Sequence, residues 1–100
     1  MGTKTDSSLV IVSREARAIE QLLRETGAHG RSLGSLVADM KSQLPRTLTR
    51  QLFIIVNIRN SVIHDGEELH NPKRFKDSCA DAKHDLKLFA KLLFQRATQK

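Results

Sequence analysis

One stretch of the 100-residue chain concentrates side chains able to do chemistry: Ile58-Arg59-Asn60-Ser61-Val62-Ile63-His64-Asp65-Gly66. Histidine can take up and release a proton near neutral pH, so His64 is a candidate general acid or base. The guanidinium of Arg59 is permanently charged and forked, which suits it to stabilising negative charge that builds on a phosphate. Asn60 offers both a donor and an acceptor with which to orient a phosphate or the imidazole. A second pair with the same spacing, Arg24 and His29, crosses Gly27 and has Glu25 after the arginine, so no rigid helix holds its ends. His29, His70, His84 and Cys79 are not grouped as metal ligands usually are, and no metal site is expected. The chain carries no phosphate-binding glycine loop and no arguable serine or cysteine triad, so no cofactor is expected either.

The elements that must position this segment are helical. Residues 1–6 read as a loose tail, and residues 7–100 as one domain. Ser7 or Ser8 can cap a first helix with apolar positions Leu9, Val12, Ala16, Ile19, Leu22 and Leu23, ended by Gly27 and Gly30. A short second helix carries Leu33, Leu36, Val37, Met40 and Leu44 and stops before Pro45. The third is expected over about residues 46–64, closed by the Asp65-Gly66 turn. Its β-branched run Ile54-Ile55-Val56 suits a strand locally, but the unbroken stretch from Pro45 to Gly66 is far longer than strands usually are. Asn71 and Pro72 suit an N-cap and first turn for a fourth helix, reaching about residue 97. The fold class is therefore all-α, an antiparallel four-helix bundle.

Here the chain resembles the HEPN family, small helical bundles marked by an arginine, four to six residues, and a histidine. A polar residue often follows the arginine directly, as Asn60 does here, and the motif closing the third of four helices extends the likeness over most of the chain. The resemblance implies a metal-independent endoribonuclease that assembles its site across a homodimer, with Arg59, Asn60 and His64 as catalytic residues. In such an enzyme the 2′-hydroxyl attacks the phosphate, leaving a 2′,3′-cyclic phosphate and a 5′-hydroxyl. Some family toxins are silenced by nucleotidyl transfer to a tyrosine two residues after the histidine. That position here is Gly66, and the chain has no tyrosine, so this control is excluded. The implied setting is that of a toxin or stress effector with a neutralising protein partner. A non-catalytic HEPN-like dimeric module that binds RNA, a nucleotide or a protein is the alternative. A basic DNA-binding regulator is a further one, although no clear helix-turn-helix signature is present.

On an ideal helix Arg59 lies about 140° from His64, among Leu52, Ile55, Val56, Val62 and Ile63. Asn57, Asn60 and His64 form a polar stripe that Arg46 and Arg50 extend backwards. Either the arginine side chain reaches round to that stripe, the last turn distorts, or the groups meet across a dimer. Otherwise Arg59 forms a buried ion pair with Asp39 or Asp81, and His64 is a helix C-terminal residue favoured by the dipole.

Composition bears on partners. Seventeen Lys and Arg against eleven Asp and Glu give a net charge of +6, which favours a phosphate-bearing or otherwise acidic partner. With four Phe, no Trp and no Tyr, a platform of stacked aromatics is not expected. On the fourth helix Lys73, Lys76, Lys83, Lys87 and Lys91 share one flank of the apolar face. This flank, with Arg46 and Arg50, is a candidate RNA-binding surface or a solvated face; Lys83, Lys87 and Lys91 are its central candidates. Leu88 and Leu92, one turn apart off the core face, are a subunit contact or incidental surface leucines. The single Cys79 cannot close an intrachain disulfide, and the longest early apolar run, Leu9–Val12, is too short for a membrane span. A soluble cytoplasmic protein is expected.

Overall fold

Four helices and no strands make up the computed structural model, which describes residues 7–98: α1 (Ser8–Glu25), α2 (Leu33–Met40), α3 (Arg46–Asp65) and α4 (Pro72–Thr98). The expected tail over residues 1–6 lies outside the described residues. Local chemistry sets the boundaries. The Ser7 hydroxyl accepts a hydrogen bond from the Val10 N–H at 3.2 Å and starts α1. Ser32 and Ser35 cap α2 reciprocally, each hydroxyl accepting from the other residue's backbone N–H. The Asn71 carboxamide accepts from the Arg74 N–H at 3.0 Å and opens α4, with Pro72 in its first position.

α2 ends at Met40, short of the expected Leu44. Pro45 disfavours helical backbone at the residue before it, and the chain turns over residues 41–44 while Leu44 stays buried. α3 ends at Gly66, whose φ of +71° is left-handed. Its N–H and that of Glu67 both donate to the Ser61 carbonyl, closing the helix as glycine allows.

The faces the four helices bury form one apolar core. Ile11, Val12, Ala16, Ile19 and Leu23 of α1 meet Leu33, Leu36, Val37 and Met40 of α2. Leu52, Ile55 and Val56 of α3 and Phe75, Cys79, Ala82 and Leu86 of α4 complete it. No polar or charged residue among the described residues is fully buried. Leu9, expected on the core face, is exposed at the edge of the first turn.

α3 runs against α4, held by a Gln51 side-chain hydrogen bond to the Ser78 carbonyl at 3.1 Å. α1 and α4 run the same way: the Leu69 N–H, just before α4, donates to the Ser8 hydroxyl at 2.8 Å, and Glu15 pairs with Lys83 further along both. A strictly alternating four-helix bundle sets its first and last helices antiparallel. Here α2 is only eight residues long and packs on α1 and α3 without touching α4, so the three long helices carry the bundle. No helix of the described residues is long and apolar enough to cross a membrane.

Two substitutions test this account. No atom lies within 4 Å of a Cβ built on Gly66, so Gly66→Ala costs only the left-handed backbone penalty. It is expected to lower stability by about 1 kcal/mol in urea unfolding, and Gly66→Asn by less. Burial pushes the Cys79 thiol up from 9.0 to about 12, with Glu15 adding to the rise and Lys83 opposing it. The folded chain then holds a proton that the unfolded chain releases. Stability is full below about pH 9 and falls as pH rises toward about 12. Thermal unfolding of wild type against Cys79→Ala across that window is expected to show a shallower alkaline decline in the variant.

Candidate functional site

α3 carries the Arg59–His64 segment in its last two turns, and core packing determines which way each side chain faces. Leu48, Leu52, Ile55, Val56 and Val62 point into the core. One turn beyond Leu52 and Ile55, the same face delivers Arg59. A cation there is costly to desolvate, and the side chain resolves this by lying half-buried along the core edge. Its terminal Nη1 donates to the Asn60 Oδ1 at 2.9 Å. Its Nε is buried and has no hydrogen-bond partner.

The guanidinium is thus drawn out of the apolar face toward the polar stripe. Asn60 is exposed on that stripe and His64 is exposed one turn further on, at the C-terminal end of α3. Arg59 and Asn60 are brought together, whereas His64 is hydrogen-bonded to neither. The ion pair considered for Arg59 does not form: among the described residues neither Asp39 nor Asp81 bridges it. Asp39 instead accepts a hydrogen bond from the His29 backbone N–H at 2.8 Å. The similarly spaced Arg24 and His29 do not assemble either. Arg24 is occupied by Glu20 at 3.6 Å and the Gly30 carbonyl at 3.4 Å.

The candidate cations fall into two groups. Lys83 is half-buried and paired with Glu15 at 2.9 Å, and Lys73 pairs with Asp77 at 3.1 Å. Lys76, Lys87 and Lys91 are exposed. Arg46 and Arg50 instead line an open groove of about 710 Å³, where α2 turns into α3. Lys41 joins them there, a residue that helical periodicity could not flag because the turn after Met40 positions it. Phe53, Ile54 and Asn57 continue the wall.

A second groove, of about 560 Å³, lies between α3 and the start of α4. Ile54, Ile58, Leu69 and Phe75 give it an apolar lining, with Glu67, Glu68 and Arg74 also on its walls. Arg59, Asn60 and His64 line neither groove. Among the described residues no three His, Cys, Asp or Glu side chains converge as a metal site. Comparison with known proteins returned no match: no family model, curated protein or solved structure matches the chain.

The half-buried arginine can be tested for what keeps it there. Arg59→Met preserves the packed stem and removes the buried nitrogen that lacks a partner, so urea unfolding is expected to show equal or greater stability. Arg59→Ala loses the stem and is expected to cost about 1–2 kcal/mol. That combination would mark the guanidinium as dispensable for folding.

Proposed function

We propose that the protein is a metal-independent endoribonuclease of HEPN type, acting in the cytoplasm as a homodimer. The observation that carries the reading is the Arg59–Asn60 hydrogen bond of 2.9 Å, which turns a core-facing arginine toward the stripe ending at His64. His64 removes the proton of the 2′-hydroxyl, whose oxygen attacks the neighbouring phosphorus as the bond to the 5′-oxygen breaks. Arg59 and Asn60 stabilise and orient the phosphate as its charge rises. One imidazole does not serve as base and acid in the same step, so His64 of the partner subunit protonates the leaving oxygen. In this setting the protein is a toxin or stress effector held in check by a neutralising protein.

A second reading, a non-catalytic dimeric module that binds RNA, a nucleotide or a protein, draws on the exposed placement of His64 outside either groove. Incubation of mixed RNA with the protein in excess chelator separates the two. The enzyme is expected to release 2′,3′-cyclic phosphate ends, and His64→Ala and Arg59→Ala to slow release about a hundredfold or more. Cleavage that survives both substitutions removes the proposed site. Binding without any cleavage by wild type establishes the second reading.

A further inference from the structure

We infer that the groove at the α2–α3 junction is a binding subsite for single-stranded RNA, remote from the reacting phosphate and continuous with the α3 stripe that ends at His64. The inference rests on the ribonuclease reading for the identity of the strand. Its own ground is the distribution of charge. Lys41, Arg46 and Arg50 line one groove, no carboxylate lines it, and among the described residues none of the three is engaged in an ion pair. On α4, Lys83 and Lys73 already have carboxylate partners, and the exposed Lys76, Lys87 and Lys91 line neither groove. Cations left without partners on one concave surface, with no acidic group to offset them, are suited to phosphate oxygens.

The rest of the lining favours an unpaired strand. Phe53 is half-buried against the core and still lines the groove, offering a ring on which one base can stack. A base held in a duplex cannot reach such a ring with its face. Thr49 also lines the groove, with its hydroxyl turned inward and without a partner. From the groove the path continues along α3. Arg46, Arg50, Asn57, Asn60 and His64 fall on one side of the helix, and all are exposed. Arg46 and His64 are separated by about 27 Å of helix, so a strand must be several nucleotides long to engage both ends.

The test uses a fluorescent 2′-O-methyl RNA of about 12 nucleotides, within the footprint range of single-strand-binding modules. It lacks the attacking hydroxyl, so affinity is read whether or not the protein cleaves RNA. Binding is measured by anisotropy over a salt series. Replacing Lys41, Arg46 and Arg50 together by alanine is expected to weaken binding at least tenfold at low salt. The slope of log affinity on log salt is expected to fall by about 2. Phe53→Leu is expected to weaken binding roughly tenfold, whereas replacing Lys76, Lys87 and Lys91 together leaves the affinity within about twofold. The inference is overturned if the groove variant binds as wild type does, or if the α4 variant loses the slope instead. It is overturned equally if duplex RNA binds as well as the single strand, or if AMP displaces the strand at matched nucleotide concentration. Groove-dependent binding with no cleavage of ordinary RNA retains the subsite and removes the ribonuclease. Cleavage that needs His64 but ignores the groove substitutions does the reverse.

Discussion

The packing of α3 against the other three helices is the constraint on which everything else turns. α3 touches α1, α2 and α4, as α1 touches the other three, and the buried stripe of α3 leaves no rotational freedom about its axis. Once Leu52, Ile55 and Val56 are in the core, 3.6-residue periodicity dictates where each remaining side chain emerges. Arg59 must start from the core side, and Asn60 and His64 must face outward. Arg46 and Arg50 must share their side of the helix. The candidate chemistry is therefore a by-product of burial: no loop has to be ordered to present it.

That rigidity explains the treatment of Arg59. A short polar side chain at this position would leave its polar group in the core, and a lysine would present a single point charge. The long, forked guanidinium can pack its stem and still place a terminal nitrogen on Asn60, at the expense of leaving its Nε without a partner. Natural chains tolerate such a local deficit where function asks for it. The contrast with Lys83 is instructive. There the nearest element supplies Glu15, the charge is neutralised, and the lysine ties α4 to α1.

What could be read from the residues alone follows the range of the interaction concerned. Ser7, Asn71, Pro72 and Gly66 act on backbone groups a few residues away, so the starts of α1 and α4 and the end of α3 were legible. Helical periodicity likewise anticipated most of the buried positions on α1 and α2, from Val12 to Leu23 and from Leu33 to Met40. The common direction of α1 and α4 was not legible, because it depends on how α2 packs and on its making no contact with α4. The Glu15–Lys83 pair joins residues 68 apart, beyond any pattern within one helix. Within the candidate site, the divergence of Arg59 from His64 was legible from helical geometry. The rotamer that carries Arg59 to Asn60 was not, nor was the placement of Lys41 beside Arg46 by a turn.

The shared direction of α1 and α4 also bears on how the chain comes off the ribosome. α1 finds in α4 its most extensive partner, and α4 is the last of the four helices in chain order. Until it emerges, the face bearing Ile11, Val12, Ala16, Ile19 and Leu23 has only the short α2 and then α3 to cover it. Completion of the core thus waits until α4 has been made, and a nascent chain lacking α4 presents an apolar surface to the cell. A chaperone that binds apolar segments of a growing chain would meet the face of α1 rather than the Arg59–His64 segment.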